Sequence, residues 1–262
     1  MKIALAAAIA LLAMSALAAQ GRPTAAAAIP AGLAAPRPLQ LKETCVSRAE
    51  RRRVVRFAAA DHVRLIGVEF GRGPNAVVLA HQGGGAAGPT LCSWVPYARS
   101  LARAGYRVLA FDHRGYGSSS KPSRADRLFR IDADVVAAVA VLRRRGATRV
   151  VLGGASLGGA AVVSAAARIQ PLVQGVFTLG SPQAFGAVDA VAAARGLQVP
   201  ALFTSAVDDD PFNDDARALF DACASVDKRL ELFPGWRHGA PTLRDPQAKA
   251  LVDAWVAAHL GN

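Results

Sequence analysis

Residues 149–159 of the chain read RVVLGGASLGG, in which a single serine, Ser156, separates a short apolar run from a helical pattern. The apolar run predicts a buried strand, and the pattern over Leu157–Ile169 predicts a helix that starts at once. A serine on so sharp a turn is forced outward, at the positive end of the helix dipole. Gly154 and Gly158 leave room for a strained backbone on either side. The stretch therefore predicts a nucleophile at a strand-to-helix turn.

From about residue 51 onward the chain alternates between β-rich runs and helical patterns. This alternation predicts an α/β fold with a mostly parallel sheet of about eight strands and helices on both faces. Reactive groups then belong at the carboxyl ends of the strands. The predicted strands are Val54–Phe57, Val63–Phe70, Ala76–Ala80, Arg107–Phe111, Val150–Gly153, Val176–Leu179, Ala201–Thr204 and Leu230–Phe233. The predicted helices are Ser93–Ala104, Arg130–Arg145, Leu157–Ile169, Ala184–Arg195, Asp214–Ala224 and Leu243–Leu260.

A serine hydroxyl needs a base to remove its proton at neutral pH. His238 is the best candidate among five histidines, because it lies in the loop between the last strand and the last helix. We interpret His62 as solvated and His259 as a surface residue. A carboxylate is then needed to orient the base. The candidates are Asp208, Asp209 and Asp210, which follow the strand at 201–204.

The composition excludes several classes of protein. The 262 residues are 52% hydrophobic and 19% charged, which excludes a disordered chain and predicts one globular domain or two small ones. The formal net charge is +12, but the arginines are scattered along the chain instead of forming one dense patch. We therefore expect no binding to nucleic acid.

The first residues are typical of a secretory signal peptide. Lys2 precedes an apolar stretch over Ile3–Met14, and small residues stand at the two positions that a signal peptidase reads. The apolar stretch is shorter than the ~20 residues of a membrane span, although an uncleaved anchor is the alternative. We expect export to the periplasm or the outside of the cell, without stable membrane insertion after cleavage. The predicted domains are a signal peptide at 1–18, a flexible Ala- and Pro-rich linker at 19–45 and a folded domain at 46–262.

Export permits a disulfide, and the chain has three cysteines, Cys45, Cys92 and Cys223. At most one intramolecular bridge can form, and we expect it to join Cys45 to Cys92, which should lie on the same rim of the domain. Three free thiols are the alternative. No two cysteines or histidines stand at ligand spacing, so no metal site is predicted.

The chain order of a serine, an acid after the next-to-last strand and a histidine after the last strand resembles the α/β-hydrolase superfamily. The resemblance covers about residues 50–262. It includes HQGGG at 81–85, where the family places its first oxyanion loop, although Gln82 stands where many members have glycine. It also includes FDHRGYGS at 111–118, which is similar to the family's D-x-R-G-x-G-x-S segment.

The resemblance implies a serine hydrolase, such as a lidless esterase or a dienelactone-hydrolase-like enzyme, that forms an acyl-enzyme and needs no cofactor. The family's acid stands directly before a Pro-Phe pair, which here selects Asp210, with Asp209 as the second choice. His81 and His113 are interpreted as loop histidines bonded to backbone. The predicted site comprises Ser156, Asp210 and His238 as the triad, the backbone N–H groups of Gly83 and Leu157 as the oxyanion hole, and Gln82, Trp94 and Trp236 as substrate-binding residues.

The predicted substrate follows from what the chain lacks. Members of the family with a separate lid insert dozens of residues after the sixth strand. In this chain only Gly180–Pro200 separate the sixth predicted strand from the seventh. An open, shallow pocket suits a small, soluble carboxylic ester better than a long-chain lipid. The alternatives are a peptidase, thioesterase or acyltransferase on the same triad, or a non-catalytic binding protein of the same fold.

Overall fold

The main sheet has eight strands in the part of the chain that the structure describes, in the order β1-β2-β4-β3-β5-β6-β9-β10. The structure, a computed structural model, describes residues 37–84, 90–122 and 130–261. Strand β2 runs antiparallel to both β1 and β4, and the other neighbours are parallel. The predicted α/β fold with a mostly parallel sheet is confirmed. The strands are β1 Val54–Ala58, β2 Arg64–Phe70, β3 Asn75–Ala80, β4 Arg107–Asp112, β5 Arg149–Ala155, β6 Gly175–Leu179, β9 Ala201–Ala206 and β10 Lys228–Phe233.

Helices cover both faces of the sheet, which explains why its central strands are apolar throughout. Successive side chains of a strand point to opposite faces, so Leu152 of β5 packs into one core and Val151 into the other. Helices α3 to α6 contribute to the first core, and α2 and α7 contribute to the second. The helices are α1 Arg48–Arg51, α2 Val95–Arg103, α3 Ile131–Arg144, α4 Leu157–Ala166, α5 Ala190–Ala194, α6 Phe212–Ala222 and α7 Pro246–Leu260, with short 3₁₀ turns at Leu91–Ser93 and Ala240–Arg244.

The segment after β6 differs from the predicted helix Ala184–Arg195. Strands β7 Ala184–Phe185 and β8 Val188–Asp189 form a small antiparallel hairpin, and only α5 is helical. The Asp189 carboxylate accepts a hydrogen bond from the backbone N–H of Ala192 at 2.8 Å and caps this short helix. An N-cap aspartate sets the helix start. The helix therefore begins at Ala190, six residues after the start that the alanine-rich pattern predicts.

The predicted linker at 19–45 is wrong in its last part, because the compact unit begins at Pro38. The backbone N–H of Lys42 donates to Ser118 Oγ at 2.8 Å, and Val46 is buried. Cys45 is bonded to Cys92 with a Cα–Cα distance of 5.7 Å, which confirms the expected pair, while Cys223 is a buried free thiol. We call residues 38–46 the N-terminal strap. The predicted signal peptide and the linker up to residue 36 lie outside the described residues.

Among the helices of the described ranges, none combines the length and the apolar character that a membrane crossing requires. The same ranges contain no group of three acidic, histidine or cysteine side chains placed to hold a metal ion.

Candidate active site

Ser156 lies at the carboxyl end of β5, directly before α4, with φ 49° and ψ −125°. A positive φ is strained for a residue with a side chain, and such strain persists only where the surroundings hold it in place. The backbone N–H of Ser156 donates to the carbonyl of Leu179 at 2.9 Å, which fixes the turn to the end of β6. The sequence thus folds into the predicted strand-to-helix turn.

Gly158 shows why a glycine follows this serine. A Cβ atom at this position would lie 2.2 Å from the carbonyl oxygen of Ala80, at the end of β3. A contact with backbone at that distance cannot be relieved by rotating a side chain, so α4 approaches the sheet this closely only without a side chain at residue 158.

His238 lies in the loop between β10 and α7, and its Nδ1 is 2.9 Å from Oδ2 of Asp209. The carboxylate only accepts hydrogen bonds, so Nδ1 carries the proton and Nε2 is left with its lone pair. Asp209 also accepts from the hydroxyl of Ser205 at 3.2 Å. A histidine that a buried carboxylate orients in this way is able to serve as a general base.

The acid in this pair is Asp209, whereas the sequence-based choice was Asp210. Asp209 is only 8% exposed and points toward the sheet edge, while Asp210 is exposed to solvent. The hydrogen bond to His238 therefore comes from the residue before the one that the Pro-Phe pair selects.

Gly180 links the serine to the histidine. It follows Leu179, whose carbonyl accepts the hydrogen bond from the backbone N–H of Ser156. A Cβ atom at residue 180 would lie 2.9 Å from both His238 Nδ1 and Asp209 Oδ2. The imidazole therefore lies against the backbone at the end of the strand next to the serine turn. Within the described ranges, no hydrogen bond joins Ser156 Oγ to His238, although both residues lie at the same edge of the sheet.

The loop after β3 is held in place by His81. The His81 ring is fully buried; its Nε2 accepts from the backbone N–H of His113 at 3.0 Å, and its Nδ1 donates to the carbonyl of Gln82 at 2.6 Å. Burial, with a smaller contribution from the neighbouring His113, lowers the pKa of His81 to about 3. His81 is therefore a neutral structural residue, as expected for a loop histidine bonded to backbone.

The two residues predicted to form the oxyanion hole are neighbours. A Cβ atom on Gly83 would lie 2.4 Å from Cδ2 of Leu157, the first residue of α4. This adjacency places the backbone of the β3 loop beside the amino end of the helix, where backbone N–H groups favour negative charge. Gly85, the last residue of the HQGGG motif, lies outside the described residues.

Gln82 joins the β3 loop to the His238 loop. Its side-chain Oε1 accepts a hydrogen bond from the backbone N–H of Ala240 at 2.9 Å. Gln82 also lines a cavity of about 840 Å³. Its contact with substrate stays a prediction, and the bond to Ala240 gives it a positioning role that the sequence did not indicate.

The other two predicted substrate-binding residues are placed elsewhere. Trp94 is fully buried and packs edge-on against Phe177, so it belongs to the core and not to a pocket. Trp236 is 77% exposed on the surface and does not line the cavity. Phe212, the second residue of the Pro-Phe pair, stacks on the His238 ring with centroids 4.1 Å apart.

The FDHRGYGS segment has a structural role. Asp112 accepts from the backbone N–H groups of Leu91 at 2.8 Å and Ser118 at 2.9 Å. Arg114 is buried and pairs with Asp134 and Asp61. These contacts fix the loop after β4, against which His81 is bonded.

Comparison with known proteins gives three kinds of match: a family model, a curated relative and solved structures. Residues 75–254 match the family model described as alpha/beta hydrolase fold. Epoxide hydrolase A of Mycobacterium tuberculosis is 37% identical over 151 residues, which cover 56% of this chain and 39% of that protein. The chain therefore spans less than half the length of this curated relative.

Solved structures of two esterases have a similar fold. An esterase of Pyrococcus furiosus superposes with a TM-score of 0.66 at 17% identity, over 79% of this chain and 92% of that one. An esterase from Exiguobacterium antarcticum superposes with a TM-score of 0.63 at 17% identity, over 77% of this chain and 98% of that one. At this level of identity the likeness concerns the fold alone.

Proposed function

Because the chain belongs to the alpha/beta hydrolase fold family, we propose that it is a secreted serine hydrolase that cleaves small carboxylic esters through Ser156, His238 and Asp209. A hydrolase is supported by the family and by the names of its relatives. The observation that carries the choice of a serine mechanism is the strained Ser156 turn at the same sheet edge as the hydrogen-bonded pair of His238 and Asp209.

In the first half of the proposed reaction, Ser156 Oγ attacks the ester carbonyl carbon and His238 Nε2 takes the hydroxyl proton. Backbone N–H groups of Gly83 and Leu157 bind the oxyanion, each contributing about 3 to 4 kcal/mol. The bond from the carbonyl carbon to the alcohol oxygen then breaks, and His238 returns the proton to that oxygen. The alcohol leaves and an acyl-enzyme remains.

In the second half, water adds to the acyl-enzyme carbonyl and gives its proton to His238. The bond to Ser156 Oγ breaks, the serine regains the proton, and the carboxylic acid leaves. Asp209 holds the Nδ1–H tautomer and stabilises the imidazolium formed in each half.

The residue at position 156 favours an ester over the epoxide named for the relative of M. tuberculosis. A serine oxygen that opened an epoxide would form an ether, which the water step does not cleave. A serine oxygen that attacks an ester forms a new ester, which water hydrolyses. A carboxylate nucleophile would suit the epoxide, and no carboxylate stands at this turn.

A small substrate is proposed because the connection between β6 and β9 is short. It holds the β7–β8 hairpin and the five-residue α5. Such a connection offers little surface to cover a long acyl chain, so most of the binding energy for a lipid tail would be missing.

Export remains part of the proposal. It rests on the apolar amino-terminal pattern of residues 1–18 and is supported by the bond between Cys45 and Cys92, since disulfides persist in oxidising compartments. Mass spectrometry of the protein recovered outside the cytoplasm, with an amino terminus near residue 19, would support it. Recovery of the uncleaved chain from the cytoplasm alone would contradict it.

The experiment that tests the reaction compares p-nitrophenyl esters from acetate to palmitate with styrene oxide. We expect hydrolysis that is fastest with acetate or butyrate and lost in Ser156→Ala, with no turnover of the epoxide. Epoxide turnover without ester hydrolysis would contradict the proposal. Faster hydrolysis of the palmitate ester would contradict the proposal of a small substrate. Cleavage of thioesters or peptides, without cleavage of esters, would assign the same triad to a thioesterase or a peptidase.

A further inference from the structure

A cavity of about 840 Å³ lies beside the proposed catalytic loops, between the N-terminal strap and the start of α7. We call it the strap cavity. The strap forms one wall through residues 42–44, Cys92 and Tyr97 stand on a second, and Ala240, Arg244 and Lys249 stand on a third. Ser156 is not among the residues that line it.

Gln82 connects the strap cavity to that centre. It lines the cavity, and its side chain binds the backbone of Ala240, which also lines the cavity. Gln82 precedes Gly83, the proposed oxyanion donor, and Ala240 lies two residues after His238. One end of the cavity is therefore made of the same two loops that carry the proposed base and oxyanion donor.

Three basic side chains line the strap cavity, and two of them have no counter-charge. Lys42 and Arg244 form no ion pair and no side-chain hydrogen bond with any other described residue. Lys249 is different, because it pairs with Asp253 and its ammonium lies 5.7 Å from the centre of the Tyr97 ring.

The one acidic side chain of the lining, Glu43, is already bonded to other groups. Its Oε2 accepts from Ser118 Oγ at 2.6 Å and from the backbone N–H of Lys42 at 3.1 Å, and the residue is only 8% exposed. The carboxylate is thus turned into the protein toward Ser118. Lys42 and Arg244, by contrast, are exposed side chains of the lining and have no acidic partner among the described residues.

We propose that the strap cavity binds a carboxylate carried by the ester substrate, at a distance from the scissile carbonyl. Lys42 and Arg244 hold the carboxylate, which makes them specificity-determining residues. This inference rests on the proposed function for its reaction, although the binding itself does not depend on Ser156. The guanidinium group supplies paired donors that match a carboxylate.

The test compares the mono-p-nitrophenyl ester of adipic acid with its neutral methyl ester and with a trimethylammonium analogue. We expect kcat/KM for the anionic ester to exceed that for the neutral ester by roughly 5-fold to 10-fold and the cationic analogue to be the poorest substrate. The ratio should fall toward 1 in Lys42→Gln/Arg244→Gln and in high salt. Arg217→Gln, which removes an exposed charge outside the cavity, should keep the wild-type ratio.

A second arm locates the carboxylate relative to the ester bond. Acetoxyhexanoate carries its charge on the alcohol side, and its hydrolysis is followed by acetate release. Preference for this ester over its methyl ester also supports the proposal and assigns the strap cavity to the leaving group. Equal kcat/KM for anionic and neutral esters in both arms would overturn the inference while leaving ester hydrolysis intact.

Calorimetry separates this inference from the reaction. Monomethyl adipate is titrated into Ser156→Ala, and binding that is lost when Lys42→Gln/Arg244→Gln is added supports the carboxylate site even if no ester is hydrolysed. Binding that is unchanged by these two substitutions, or no binding at all, would overturn it.

Discussion

The imidazole of His238 is hydrogen-bonded to Asp209, 2.9 Å away, and the adjacent Asp210 faces solvent. If this pair orients the base, Asp209→Asn leaves His238 without a carboxylate and in the wrong tautomer. We expect kcat/KM for p-nitrophenyl acetate to fall by about 10³-fold to 10⁴-fold with little change in folding.

Asp210→Asn is the matched control for this prediction. It makes the same chemical change one residue away, on an exposed side chain. We expect kcat/KM within about 3-fold of the wild type, because an exposed charge is well screened. A large loss in Asp210→Asn with a small loss in Asp209→Asn would restore the sequence-based choice.

Gln82→Met removes the acceptor for the N–H of Ala240 and nearly preserves side-chain volume. The β3 loop and the His238 loop are then no longer joined, and a backbone donor is left without its partner. We expect kcat to fall roughly 10-fold, measured with p-nitrophenyl acetate while circular dichroism confirms an unchanged fold. Unaltered kcat would show that the loops keep their relative positions without this bond.

Gly158→Ala places a methyl group against the backbone of Ala80 at 2.2 Å. We expect it to lower the free energy of unfolding by about 3 kcal/mol, measured by urea denaturation, because two packed backbones must separate. Gly196→Ala is the control, since its nearest neighbour would be the Ala193 carbonyl at 3.7 Å. Its effect should stay within about 0.5 kcal/mol, and similar losses in both variants would contradict the close packing at Gly158.

Stability should also depend on pH through Asp112. Burial, and then the nearby Glu43 carboxylate, raise the pKa of Asp112 from 3.8 to about 8. The folded protein therefore keeps a proton that the unfolded chain has lost. This contribution to stability is complete below about pH 4 and is lost as the pH rises toward about 8.

Glu43→Gln tests this dependence because it removes the neighbouring charge. We expect the decline in unfolding free energy between about pH 5 and pH 8 to be shallower than in the wild type, measured by urea denaturation at several pH values. Asp214→Asn removes an exposed carboxylate instead and should leave the slope unchanged. An identical slope in Glu43→Gln would mean that the two carboxylates do not interact.

Much of the fold was predictable because burial on both faces makes the central strands apolar throughout. The runs at Val150–Gly153 and Val176–Leu179 lie within β5 and β6. The hairpin after β6 was missed since two-residue strands leave no periodic pattern, and the alanines of 190–194 resemble a longer helix.

The candidate site was predictable in its residue types and less so in its contacts. Ser156 and His238 follow from their positions after strands. The choice between Asp209 and Asp210 depends on which way each side chain points in a turn, which residue type does not specify. Trp94 was misassigned because its partner, Phe177, is distant in the sequence, and the contact of Glu43 with Ser118 spans 75 residues.

The central claim is that Ser156 is a nucleophile activated by His238, and labelling with a fluorophosphonate tests it most directly. The account predicts one label per chain, located at Ser156 by mass spectrometry, slowed strongly in His238→Ala and absent from folded Ser156→Ala. A folded wild-type protein that takes up no label, or that carries it on another residue, would contradict the account.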